Sequence, residues 1–244
     1  MDPSHNSGDV VSSLPSSTRP TTILAVIIIC LQILISLATY PFLPPIVPSH
    51  WNAAGQIDGY MPKALNAILL PAISLGVYLL VRLLLAAGPK LGAQNQRATL
   101  PVVNIILVGV LLLMLVLQLI TIATALRVPV DVPLVISLSI GALLILIGNY
   151  LGKLRRNFWT GIRTPWTLAS STTWERTHRL GGWLFVAAGV LDIIMAFIAP
   201  LRIWGMLVLT LLIVVILFVY SYVVYQRSEA RGGETLSPPF DNEG

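Results

Sequence analysis

The chain has 244 residues, of which 56% are hydrophobic and 10% charged, with a mean hydropathy of +0.84. A soluble domain carries about a quarter charged residues, so a water-soluble globule or soluble enzyme is excluded. Disordered and collagen-like chains are excluded too, and with Cys30 as the single cysteine so is a disulfide scaffold. The formal net charge of +5 points to membrane topology and lipid rather than nucleic acid, because no basic nucleic-acid-binding module accompanies it. The composition predicts a polytopic helical membrane protein.

Residues 1–20 are polar and rich in Ser and Pro, which predicts a disordered tail. Six apolar stretches follow, at 22–40, 64–87, 101–126, 133–151, 181–200 and 202–226. Each is long enough as a helix to cross a hydrocarbon core of about 30 Å. Their apolar runs are continuous, without the alternation that barrel strands require. Ser36-Leu37-Ala38 has the small residues of a cleavage site. The run before it is long for a leader, and Arg19 is the one basic residue preceding it, so this stretch reads as a span.

Basic residues set the orientation. With the N-terminus inside, the inner segments hold Arg19, Arg82, Lys90, Arg97, Lys153, Arg155, Arg156, Arg163, Arg176, Arg179, Arg227 and Arg231. The outer segments hold Lys63, Arg127 and Arg202. Twelve against three predicts both termini in the cytoplasm. The residues after 227 read as a flexible tail. Short connections at 127–132 and 200–202 predict antiparallel neighbours in a compact all-α bundle.

Two connections are long, and function is expected there. The outer one, 41–63, has Pro41, Pro44, Pro45 and Pro48, which stop the first helix, and turn signals at Gly55 and Asp58-Gly59. It reads as an extended arm, then a turn or short hairpin, then a second helix opening at Pro62. His50, Trp51, Asn52, Gly55, Asp58, Gly59 and Lys63 are its candidates for extracellular recognition. His50 and Asp58 are of the types that bind metal or share a proton, but two ligands are too few for a metal site. Asp58 is equally suited to an Asx-type turn, with Trp51 and Tyr60 at the headgroups.

The inner connection, 152–180, holds or adjoins Trp159, Trp166, Trp174 and Trp183, with six of the 15 basic residues. Rings and cations together suit the membrane interface, either as an interfacial helix or as a docking surface. Thr172 through Glu175 fits a capping box, placing Trp174 and His178 on one helix face and Glu175 within reach of Arg179. Pro165 restricts Thr164, so Arg163-Thr164-Pro165-Trp166 reads as a rigid elbow. Asn149 stands where it would cap the fourth span, and Arg82 is close enough to its helix end to snorkel. Asp192 falls near the middle of the fifth span, where a carboxylate is costly. It is either hydrogen-bonded to an interior donor such as Asn104 or Gln118, or carries a proton or ion.

These residues carry a resemblance. Gly148-Asn149-Tyr150, Asn157, Gly161 through Leu168, Trp174, Thr177, His178, Arg179 and Gly182 match a pattern that resembles the SdpI family of bacterial membrane proteins. Pro48, His50, Trp51, Asn52, Gly55, Asp58, Gly59 and Lys63 resemble the two-span module of unknown function that often precedes it. The resemblance implies a two-helix module over 21–89 and a four-helix module over 101–227. It also implies immunity to a secreted, membrane-active peptide toxin. Outside, a peptide toxin is the expected partner. Inside, the expected partner is a cytoplasmic repressor docking around Asn149, Asn157, Arg163, Thr164, Pro165, Trp166, Trp174, Thr177, His178 and Arg179. No cofactor, metal or direct nucleic-acid partner is expected, and no enzymatic activity. The alternatives are a membrane enzyme, a small-solute or proton-coupled carrier built on Asp192, and a purely structural membrane factor.

Overall fold

A computed structural model describes residues 19–87, 96–157 and 160–230. The tail before residue 19, the tail after 230 and Trp159 lie outside these residues. Helix α1 covers Arg19–Thr39 and runs into a short helical turn at Tyr40–Phe42. Strands β1 (Ile46–Trp51) and β2 (Ile57–Pro62) form an antiparallel hairpin, so a two-stranded sheet is added to the otherwise helical chain. The remaining long helices are α2 (Lys63–Ala87), α3 (Gln96–Ala125), α4 (Val132–Leu151), α6 (Ser171–Met195) and α7 (Arg202–Ala230). A single-turn helix, α5 (Pro165–Ala169), precedes α6. Six helices are long and apolar enough to cross a membrane.

Two boundaries differ from the sequence expectation. Helix α7 continues to Ala230, past the expected start of the flexible tail. Helix α6 starts at Ser171, ten residues before the apolar run, because polar Thr and Arg side chains continue the same helix into the interface. Its N-cap is Ser170, whose hydroxyl accepts from the Thr173 amide at 3.2 Å, and not Thr172. The expected Glu175–Arg179 ion pair is not formed, and both side chains are exposed.

The bundle is held by close backbone approach. A Cβ added to Gly148 would lie 2.7 Å from the carbonyl oxygen of Gly182, and one added to Gly189 would lie 2.5 Å from that of Gly141. Glycines seven residues apart on both α4 and α6 thus let the helices touch backbone to backbone, as small residues do in membranes. Between α1 and α3, Ala25, Ile28 and Ile29 pack on Leu107, Val108 and Leu111. A polar clamp joins the same helices: Gln118 Nε2 donates to Gln32 O at 2.8 Å and to Ser36 Oγ at 2.9 Å. Outward-facing Leu34, Leu83 and Leu211 are largely exposed, as a lipid-facing surface requires.

One end of the bundle gathers the hairpin and the α3–α4 and α6–α7 turns. Helix α3 closes with Arg127 in the left-handed region (φ 61°), its amide bonded to Thr124 O and that of Val128 to Ala123 O. Asp131 then caps α4 and also receives Arg202 Nη1 at 2.7 and 2.9 Å, tying the two turns together. The opposite end carries the 152–170 loop.

Candidate functional site: two polar ends of one bundle

The hairpin is built by its glycines and by Asn52. Asn52 Oδ1 accepts the amides of Ala54 and Gln56, both at 3.0 Å, so the Asx turn belongs to Asn52 rather than Asp58. Gly55 takes φ +78° beside Pro133 of α4, where a Cβ would lie 2.8 Å from that ring. Gly59 faces His50 across the strands, with room for no side chain of its own. Val47 is fully buried with Leu43, Ile122 and Ala125, which seats the hairpin on the end of α3.

This scaffold turns one polar pair outward. His50 Nδ1 and Asp58 Oδ1 are 2.5 Å apart, with 71% and 44% of their side chains exposed. Lys63, expected in the recognition set, is a strut instead. Its Nζ donates to Leu43 O at 3.2 Å and Tyr40 O at 3.3 Å and lies over the Tyr40 ring. It joins the end of α1 to the start of α2. Trp51 is half-buried. Of the seven outer candidates, His50 and Asp58 pair with each other at the surface, whereas Asn52, Gly55, Gly59 and Lys63 shape or anchor the hairpin.

At the opposite end the polar chemistry points inward. Trp174 is buried, donates Nε1 to Leu154 O at 2.9 Å, and stacks on His178 with ring centroids 3.9 Å apart. His178 uses both ring nitrogens. Nε2 accepts the Ile162 amide at 3.0 Å, which requires a lone pair there, so Nδ1 carries the proton and donates to Trp174 O at 2.8 Å. Gly161 makes this possible. It holds φ +107°, and a Cβ on it would collide with His178 Nε2. His178 therefore pins the loop backbone to α6 and has no nitrogen left for acid–base work.

The elbow is a capped turn. Thr164 is extended at φ −101°, ψ 160°, and forms a capping box with Thr167 around α5. Thr167 Oγ1 accepts the Thr164 amide and donates to Ile162 O, each at 2.9 Å. Trp166 Nε1 donates to Ser221 Oγ of α7, and its ring meets Phe218 and Tyr222 edge-on, both at 5.2 Å. Ser221 was not legible as a partner from the sequence, because it lies 55 residues away on an apolar helix. Asn157 also serves the loop: Nδ2 donates to Arg155 O at 2.8 Å, and Oδ1 accepts the Thr160 amide at 2.8 Å.

Several inner candidates therefore differ from a docking role. Asn157, Thr164, Trp174, Thr177 and His178 are buried in the packing. Arg163 and Arg179 are exposed, and Pro165 is exposed at the start of α5. Asn149 is exposed on α4 and does not cap it; the helix ends at Gly152, whose amide bonds to Tyr150 O. Arg82 donates to Thr22 Oγ1 at 2.9 Å and lies over the Tyr78 ring, so it bridges α1 and α2.

Asp192 sits one turn from the end of α6, on the hairpin side, not at mid-span. The helix stops at Met195, five residues before the expected end of the span, and it also begins ten residues early, so its midpoint lies well before Asp192. It is fully buried, and neither carboxylate oxygen has a protein hydrogen-bond partner. The expected bonds from Asn104 and Gln118 are not made, since the Gln118 amide turns to α1. Among the described residues no group of three or more His, Cys, Asp or Glu side chains is placed to hold a metal ion.

Both ends fall within stretches that match known families. Residues 153–223 match the SdpI/YfhL protein family, and residues 27–75 match a domain of unknown function (DUF1648). Over 206 residues the chain is 31% identical to the immunity protein SdpI of Bacillus subtilis (strain 168), spanning 84% of this chain and 96% of that relative. The chain belongs to the SdpI family. It is a multi-pass protein of the bacterial plasma membrane. The SdpI/YfhL match begins in the 152–170 loop and ends in α7, so it contains Trp174, His178, Asp192 and Ser221 together. The other match contains the whole hairpin. No solved structure matches the chain.

Proposed function

We propose that this chain is a membrane immunity protein that protects a bacterium from a secreted, membrane-active peptide toxin, without enzymatic chemistry. The observation that carries the reading is the 31% identity to the immunity protein SdpI across 96% of that relative's length. Twelve inner basic residues against three outer ones support a topology with the hairpin outside and both termini in the cytoplasm. The His50–Asp58 pair is then the outward polar feature that toxin, or toxin-altered membrane, meets.

The same reading extends to signalling. Val47 seats the hairpin on α3, Gly55 rests on Pro133 of α4, and α4 contacts α6 through paired glycines. Helix α6 carries Trp174 and His178 at its far end. A shift of the hairpin is thus transmitted through packed helices to the loop that presents Arg163 and Arg179, where a cytoplasmic repressor docks. The coupling requires toxin to bind two states of the bundle with different affinity.

The test is survival of a toxin-sensitive bacterium expressing the chain, with Asp58→Ala and empty vector alongside at matched membrane levels. Protection by the unaltered chain and its loss in Asp58→Ala is expected. Survival no better than empty vector, with insertion confirmed, overturns the immunity reading. Full protection by Asp58→Ala overturns the role of the hairpin pair. For signalling, Arg163→Ala with Arg179→Ala should abolish repressor pull-down while leaving protection intact.

A second reading rests on Asp192, a buried carboxylate with no protein hydrogen-bond partner in a membrane helix. It makes the chain a proton-coupled carrier. Asp192→Asn should then abolish proton-coupled flux in liposomes, and unaltered flux removes this reading.

A further inference from the structure

Where α4 ends and α6 begins, the surface carries an open cavity of about 550 Å³. Lys153, Arg155, Arg156 and Arg179 line it together with Trp174 and one carboxylate, Glu175. Ser171 lines it too, so the N-terminal turn of the 25-residue α6 adds partial positive charge to the same space. Three of the four cations are arginines, whose planar donors match phosphate oxygens in pairs. Lys153, Arg155 and Arg179 crowd around one carboxylate, so their mutual repulsion favours entry of an anion.

The surroundings specify the kind of anion. The cavity lies at the membrane boundary, just past Leu151, the last residue of α4, with Lys153 Nζ 4.5 Å above the Tyr150 ring. Leu154 lines this cavity and also a second one of about 410 Å³. The second is apolar, walled by Val103, Ile106, Leu151, Ile162 and Phe185. A free phosphate ester would use the first space alone, whereas a phospholipid would use both. Basic pockets between membrane helices are suited to anionic headgroups.

We propose that the cationic cavity binds the phosphate of a net-anionic phospholipid, with part of an acyl chain in the apolar cavity beyond Leu154. The site does not depend on the immunity reading. It is tested on the full chain purified in neutral detergent, by thermal unfolding during titration with short-chain phosphatidylglycerol. Short-chain phosphatidylcholine and inorganic phosphate serve as parallel probes. Phosphatidylglycerol should raise Tm by several degrees, with an effect weakened by salt, and the other two should leave it nearly unchanged. Arg155→Ala with Arg179→Ala should weaken phosphatidylglycerol at least tenfold. Both arginines are exposed, so Tm without lipid should stay near that of the unaltered chain. Glu175→Gln removes the opposing charge and should tighten binding a few-fold, a change that misfolding would not produce. An equal shift with inorganic phosphate would replace the lipid by a free anion and overturn the proposal. So would an equal shift with phosphatidylcholine, an unchanged affinity in the double arginine variant, or Glu175→Gln that fails to tighten binding.

Discussion

The two ends of the bundle use similar residues in opposite ways. At the hairpin, His50 and Asp58 meet in the open, while glycines and Asn52 shape the backbone beneath them. At the other end, His178 and Trp174 are buried and spend their polar atoms on the loop backbone, leaving arginines at the surface. The physical difference is support. The hairpin satisfies most of its backbone strand to strand, and its turn draws on Asn52 Oδ1. The described residues of the 152–170 loop form no sheet, so side chains take up several of its amides and carbonyls. A motif histidine at one end is therefore available for recognition, and at the other it is a structural pin.

Substitutions that reverse this contrast rank by the support they remove. Gly161→Ala should cost most, about 2–4 kcal/mol, because a left-handed residue gains a Cβ that collides with His178. The readout is thermal unfolding of the detergent-purified chain, and an unchanged Tm would mean that the loop does not depend on that contact. His178→Ala follows at about 2–3 kcal/mol, through the stranded Ile162 amide and the lost stacking. Limited proteolysis should then cleave within 152–170 sooner than in the unaltered chain. If cleavage moves elsewhere or does not change, His178 is not the pin.

Smaller effects sharpen the comparison. Arg202→Ala breaks the tie between the α3–α4 and α6–α7 turns, where Asp131 is 44% exposed, and should cost about 1 kcal/mol. A measured loss several times larger would make the turn-to-turn tie a principal support of the hairpin end. His50→Ala should be nearly silent in stability, within about 0.5 kcal/mol, because the pair is solvent-exposed. Its effect should appear in toxin survival instead. A large fall in Tm for His50→Ala would make the two histidines alike and erase the contrast.

The asymmetry was only partly readable in the residues. The prolines and Gly55 were local signals for an extended arm and a turn, but Asp58-Gly59, read as a second turn signal, lies within β2, and the turn falls at 52–56. Trp174 and His178 on one face followed from helical spacing, but whether that face looked to water or to protein did not. Their burial depends on Leu154 O and the Ile162 amide, neither of which has a side-chain signature. Lys63 misled for the same reason, since its acceptors are backbone carbonyls at Tyr40 and Leu43. The capping residue moved from Thr172 to Ser170 because both positions offer a hydroxyl before a helix, and the position of α5 decides between them.

The sequence by itself determined the solvent, the number of spans and the family. Continuous apolar runs in a chain with 10% charge leave no other way to satisfy the backbone than membrane helices. Tertiary structure alone decided which polar residues are offered and which are consumed. It brought Ser221 to Trp166 and glycine to glycine across α4 and α6. It also gathered Lys153, Arg155 and Arg179 around one cavity and left Asp192 buried near the hairpin end of α6. Periodicity assigns a residue to a face. What that face meets depends on contacts between residues far apart in the chain, and backbone partners leave no trace in composition.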